Sequence, residues 1–389
     1  MMAHIGGIAR GGIGPVKLLV LQGTPFCNIN CTYCYLPGRS ETFRMSVETV
    51  HAVVARLRDD RLLRGPLLVN WHAGEPLVLP PDFYRPRIEA FAPLAADGIA
   101  AEQSLQTNGI LIDDGFCDLF EEFRIAVGVS VDGPAAIHDR MRVTRSGRPT
   151  HARTEAGMRK LRERGIAFNA ICVLTDFSLG YPDAIYEYFR DAGVRAVAFN
   201  IEEIEGANRT SSASGKDYND RFRAFLERLW ERVEGDGGPL QVREFDDGEA
   251  RILDRHERRN SQTDPFVNLN VAWNGDWSTF CPELLGVSFP DYPTFMLGNV
   301  HTGSLRAALE TAAFHRLYAD IQAGVDQCRA ECPYFDICGG GNPSNKISEN
   351  GSFRSTETIN CRNRIMTVGS FMMDRIEERI SRKRSLAGA

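Results

Sequence analysis

At 389 residues, 43% hydrophobic and 25% charged, the chain is long enough for two or three domains of ~150 residues with real cores, which excludes wholesale disorder. Its net charge of −6 gives no footing for a nucleic-acid partner, and no run approaches the ~18 apolar residues of a membrane span. The N-terminal residues lack the apolar core of a secretory signal, so the expected compartment is cytoplasmic.

From Val16 to about Glu203, short apolar runs alternate with amphipathic stretches. Strands are predicted at 16–22, 67–72, 103–106, 126–131, 168–174 and 196–201, and helices at 46–59, 81–91, 113–123, 152–164 and 182–192. This alternation predicts an α/β fold, a parallel sheet with helices outside that closes fully or partly into a barrel. Ligands of such a barrel gather at the C-terminal ends of its strands. A Ser, Gly and Ala-rich linker at 205–217 and a helix at 218–233 follow, and glycines at 235–238 break the pattern. An alternating run from Phe266, an Asn274-Gly275 turn and a second strand ending at Cys281 predict a hairpin. A cysteine-rich and glycine-rich stretch covers 328–361, before an amphipathic helix at 362–384. The expected units are a tail (1–15), a partial (β/α)6 barrel (16–235), a bridging segment (236–265), a cysteine-rich domain (266–364), and a last helix and tail (365–389).

Ten cysteines in a cytoplasmic chain of this size do not need to be disulfides, and their short spacings read as metal ligation. Cys27, Cys31 and Cys34, spaced C-x3-C-x2-C, follow the first strand. Three thiolates on one loop can hold three corners of a cubane iron–sulfur cluster, whereas a structural zinc wants four ligands. Such a site leaves one iron open.

With those residues in view, the chain resembles the radical S-adenosylmethionine (SAM) enzymes. The resemblance implies that the open iron of a 4Fe–4S cluster chelates SAM, and that one electron cleaves SAM to a 5′-deoxyadenosyl radical. It places Tyr33 against the adenine, although an ordinary core aromatic is the other reading of Tyr33. Ala73-Gly74-Glu75-Pro76 resembles the family's GGEP motif, with Glu75 accepting from the methionine ammonium. Gln106-Thr107-Asn108-Gly109 and Ser130-Val131-Asp132-Gly133-Pro134, followed by His138, Asp139 and Arg142, are also similar to family stretches. They imply cofactor contacts by Gln106, Asn108, Ser130 (ribose), Asp132 and Arg142 (carboxylate).

Cys328, Cys332, Cys338 and Cys361, with Cys281 upstream, resemble the SPASM extension of peptide-modifying radical SAM enzymes. The fuller seven-cysteine pattern holds two auxiliary clusters. Here Asn342 and Gly303 stand where it has cysteines. Both losses fall on the inner cluster, so one auxiliary 4Fe–4S cluster on the four later cysteines is expected, with two as the alternative. Cys281 is a remnant ligand, a ligand to a cluster with a non-cysteine partner, or a chemically active thiol. Zinc is the competing occupant of the four-cysteine set. Cys117 and Cys172 read as packed core thiols.

A substrate radical must lose another electron to become a new bond, so a second cluster argues for a net oxidation. The run from Cys338 to Cys361 resembles maturases that install cyclophane cross-links in ribosomally made precursor peptides. The expected partners are such a peptide and an electron donor, a reductase, flavodoxin or ferredoxin. A sulfatase-maturating (formylglycine-generating) enzyme is the near alternative. A non-catalytic iron–sulfur carrier or zinc-binding regulator is the distant one. Glu202, Glu205 and Glu283 are the candidates for the proton-accepting group, and Cys281 is a further candidate catalytic residue. With about fifteen residues ahead of the first strand, no separate leader-gripping module is expected.

Overall fold

The computed structural model describes residues 13–238, 240–254 and 259–387. Most of the expected tail 1–15 and part of the bridging segment 236–265 lie outside these described residues. Among the described residues ten strands form one sheet: β1 (Leu18–Leu21), β2 (Leu67–Trp71), β3 (Ala101–Thr107), β4 (Ala126–Ser130), β5 (Phe168–Leu174), β6 (Ala196–Ile201), β7 (Gln241–Val242), β8 (Asn268–Val271), β9 (Asp276–Thr279) and β10 (Gly298–Asn299). Their order is β10-β9-β8-β1-β2-β3-β4-β5-β6-β7, with β8 and β1 through β7 all parallel and β9 and β10 antiparallel. The six predicted strands are the six central barrel strands, and each is followed by a helix as the alternation requires.

Local chemistry accounts for these elements. The helix Val47–Asp59 starts where Ser46 Oγ accepts from Thr49 N–H (3.1 Å), and it buries Val50, Val53, Val54 and Leu57 against the sheet. The helix Asp114–Glu122 is capped in the same way by Asp113 and buries Phe116, Leu119 and Phe120. Cys117 and Cys172, both 0% exposed, sit in the main core as packed thiols.

Three features depart from the sequence reading. The hairpin β8–β9 is not a separate sheet: Leu18 through Leu21 pair with Asn268 through Val271, so it covers the open edge of β1. The bridging segment holds a two-residue strand and the helix Arg243–Leu253. Gly248 hides that helix in the sequence, because glycine disfavours helices. It is required by packing, since a Cβ there would lie 2.7 Å from Met372 Cγ on the final helix. A helix Ala135–Met141 also stands between the β4 turn and Arg142.

Candidate active site

The cysteine loop after β1 is held from several sides. Asn30 N–H donates to Val143 O (2.7 Å) and Thr32 N–H to Met141 O (3.0 Å), laying the loop along the segment that carries Arg142. Glu75 N–H donates to Phe26 O (2.8 Å), and Asn108 Nδ2 to Asn28 Oδ1 (2.7 Å). The turns after β2, β3 and β4 therefore all converge on this loop.

Cys31 is buried, and Cys27 and Cys34 are half-buried. Burial pushes the Cys27 thiol up to about 12, with the Glu75 carboxylate adding to it, and the Cys31 thiol to about 11 against the opposing pull of Arg142. Ligation requires thiolates, so bound metal must supply the compensating charge. Among the described residues no three His, Cys, Asp or Glu side chains close to the spacing of a single metal ion. An all-sulfur set on one loop, with a guanidinium nearby, fits a cubane held at three corners.

Arg142 is 6% exposed, and its Nε lies 3.0 Å from Asp132 Oδ2. The Tyr33 hydroxyl donates to that same oxygen, and Oδ1 accepts from Val173 N–H (2.9 Å). Asp132 N–H donates to His138 Nδ1 (3.3 Å), which leaves the His138 proton on Nε2, facing Thr150 Oγ1 at 3.0 Å. The Thr150 hydroxyl in turn donates to Arg142 O (2.6 Å) and closes the circuit. Burial pushes His138 down to about 2, so the imidazole stays neutral. Arg142 Nη1 lies 4.0 Å from Cys31 Sγ, and its guanidinium carbon is 5.4 Å from the Tyr33 ring centre. Tyr33, Asp132 and Arg142 thus form one unit beside the cysteine loop. Gln106 and Ser130 form another, with Gln106 Nε2 donating to Ser130 Oγ (2.8 Å).

Glu75 is largely occupied by the fold. Oε1 accepts from Leu77 N–H (2.9 Å) and the Thr107 hydroxyl (2.6 Å), and Oε2 from Asn108 N–H (2.8 Å). Most of its acceptor capacity locks the β2 turn to the β3 turn, leaving room on Oε2 alone for another donor. Burial pushes its pKa up to about 7. Ala73 and Gly74 both have positive φ, 66° and 134°. A Cβ on Gly74 would lie 2.2 Å from Thr24 O, a backbone atom that cannot turn away. Gly74→Ala is therefore expected to cost about 3 kcal/mol, the sum of overpacking and left-handed strain. Ala73→Gly relieves ~1–2 kcal/mol of strain but gives up a buried methyl and gains chain entropy, so its stability should change by less than ~1 kcal/mol. Chemical denaturation of both variants checks the contrast; equal effects would contradict it.

The four later cysteines come together. Cys328 lies in the last turn of the helix Ala312–Glu331, Cys332 caps it, Cys338 ends the helix Phe335–Cys338, and Cys361 opens the π-helical turn Cys361–Thr367. All four line one cavity of about 180 Å³. Gly339, Gly340 and Gly341 take positive φ of 69°, 109° and 76°, which turns the chain back over Cys338. Cys281 does not line that cavity. It is fully buried, and its thiol donates to Asn342 Oδ1 at 3.0 Å. Asn342 Oδ1 also accepts from Ser344 N–H (2.9 Å), so the position that lacks a cysteine is tied into a polar network.

The proton-acceptor candidates separate. Glu202 Oε2 accepts from the N–H (2.9 Å) and hydroxyl of Ser212, which commits it to holding the turn Ser212–Ser214. Glu205 is buried and accepts from the Ser344 hydroxyl, and burial beside Glu203 and Glu283 pushes it well up. Glu283 keeps a buried Oε2 with no hydrogen-bond partner, and burial pushes its pKa up to about 7. Three neighbours were missed by sequence reasoning. Glu203 accepts from Asn345 Nδ2 (2.9 Å); Tyr35 lies near Cys34, Glu203, Glu205 and Glu283; His72 Nε2 faces the Tyr35 hydroxyl at 3.4 Å, with Nδ1 unpartnered. Burial pushes His72 down to about 4. The available signal was position, since His72 directly precedes the Ala73-Gly74-Glu75 turn and Tyr35 directly follows Cys34.

Comparison with known proteins agrees with this geometry. Residues 21–189 match the family described as the Radical SAM superfamily. An uncharacterised protein of Synechocystis sp. is 40% identical over 94% of this chain and 93% of its own length. The serine-type anaerobic sulfatase-maturating enzyme of Klebsiella aerogenes is 30% identical over 85% of this chain and 80% of its own. The solved structure of native anSMEcpe with bound AdoMet and Cp18Cys peptide has a TM-score of 0.75 at 22% identity, covering 93% of this chain and 98% of that one.

Proposed function

The chain belongs to the radical SAM superfamily, whose members use a 4Fe–4S cluster and SAM, and from that premise we propose that it oxidises a ribosomally made peptide, joining carbons within it as a cyclophane-type cross-link. The observation that carries this reading is the pairing of two sulfur sets. One is an open three-cysteine loop; the other is a closed four-cysteine cavity from which Cys281 is set apart by Asn342. When bound, the first cluster with SAM supplies a hydrogen-abstracting 5′-deoxyadenosyl radical, and the auxiliary cluster supplies an acceptor for the second electron of a net oxidation.

The chain's own residues do the rest. The Tyr33–Asp132–Arg142 unit offers an aromatic face and a guanidinium whose position is set by Asp132. Glu75 holds the turns after β2 and β3 in register beneath the cysteine loop. Glu283, with a free buried oxygen, takes the proton that leaves with the second electron. Cys27, Cys31 and Cys34 hold the radical cluster, and Cys328, Cys332, Cys338 and Cys361 the auxiliary one.

A second reading is favoured by the 30% identity to a serine-type sulfatase-maturating enzyme: oxidation of a Ser or Cys side chain to formylglycine. Product chemistry separates the two. Both a carbon–carbon cross-link and oxidised serine lack two hydrogens, but only formylglycine presents a carbonyl that a hydrazide labels. Reaction with an aromatic-rich precursor peptide should give a mass loss without hydrazide labelling and a fragmentation gap between the joined residues. Labelled product from a sulfatase-derived peptide, with none from the precursor, would transfer the assignment to the second reading.

A further inference from the structure

Beside the four-cysteine cavity, against Cys328, lies a cation that the chemistry above does not use. Lys346 is 3% exposed, on the helix Pro343–Asn350 that follows the glycine run. Its Nζ donates to Gly324 O at 2.9 Å and to Cys328 Sγ at 3.2 Å. Its ammonium thus meets a carbonyl oxygen and a sulfur, neither of them a carboxylate. The slot is made by glycines: a Cβ on Gly324 would stand 3.1 Å from Nζ, and one on Gly341 3.5 Å from Lys346 Cε.

A buried ammonium against a neutral thiol would be poorly compensated, whereas a cysteine whose sulfur is a ligand carries the negative charge it needs. A fixed positive charge donating to a ligand sulfur stabilises the more negative, reduced form of a cluster. We propose that Lys346 is a positioning and tuning residue of the auxiliary cluster, raising its reduction potential by donating to Cys328 and so easing its acceptance of one electron. This rests on the reading of Cys328, Cys332, Cys338 and Cys361 as an iron–sulfur site, and the test keeps the two apart.

The parent for the test is the Cys27/Cys31/Cys34→Ala variant, which retains the auxiliary site alone. Its iron and zinc contents and its potential, by a redox titration followed by electron paramagnetic resonance, are compared with those of added Lys346→Met and Lys346→Arg. Expected are about four irons in the parent, a more negative potential with Lys346→Met, and recovery toward the parent with Lys346→Arg. If Lys346→Met loses its iron, retention by Lys346→Arg still supports a role for the charge; loss from both makes the lysine a packing element and overturns the proposal. An unchanged potential at full iron content in Lys346→Met overturns it as well. One zinc in place of iron in the parent overturns the cluster reading itself, and the proposal with it.

Discussion

Replacing Cys27, Cys31 and Cys34 together with alanine is expected to abolish 5′-deoxyadenosine release from SAM in anaerobically reconstituted, chemically reduced protein. No other cysteine lies within the converging turns after β2, β3 and β4, so no donor replaces them: Cys281 is turned to Asn342, and Cys117 and Cys172 are sealed in the core. Iron content provides an independent readout. Two cubanes predict about eight irons per chain in the wild type and about four in the triple variant. Deoxyadenosine from the triple variant would sink the assignment. A wild-type value near twelve would show that Cys281 and non-cysteine ligands build an inner cluster after all. The triple replacement should leave the fold intact, because the loop is also held by backbone bonds to Met141, Val143 and Glu75.

The second large effect belongs to Glu283. If its free oxygen accepts the proton that leaves the peptide, Glu283→Gln should lower product formation by ~10²-fold or more while SAM cleavage continues. That uncoupling distinguishes a proton acceptor from a residue that merely shapes the cavity, whose loss would reduce both together. The pH dependence follows from the sign of the shift. Burial raises Glu283 to about 7, so the carboxylate is protonated and idle below that pH and becomes the active base above it. Cross-linked product should rise with pH through about 7 in the wild type, and the rise should vanish in Glu283→Gln. Glu202→Gln, by contrast, should behave as a loop variant, with a lower melting temperature and an unchanged pH profile. If Glu202→Gln flattens the profile and Glu283→Gln does not, the roles are reversed.

Much of this molecule is legible without coordinates. The alternation of apolar runs with amphipathic stretches specified the six central strands, because a parallel strand covered on both faces must read as a short apolar run and its crossover as a helix. The cysteine spacings marked both candidate sulfur sets, the first because ligands on one tight loop must be close in sequence, whereas only the fold brings Cys361 to Cys328, Cys332 and Cys338. Neither rule reaches across the chain. Only the folded structure joins β8 to β1, 250 positions apart by the pairing of Leu18 with Asn268, since an open strand edge is satisfied by whichever segment topology brings to it. The same holds for the helix behind Gly248, whose partner Met372 lies far downstream. At the site, Glu202, Glu205 and Glu283 look alike as letters. Their differences arise from what surrounds each one: a serine turn bonded to Glu202 Oε2, a hydroxyl on Glu205, and a Glu283 oxygen without a protein partner. A side chain's type is encoded locally, but its hydrogen-bond partners and its burial are set by distant segments, and these decide its proton affinity and its role.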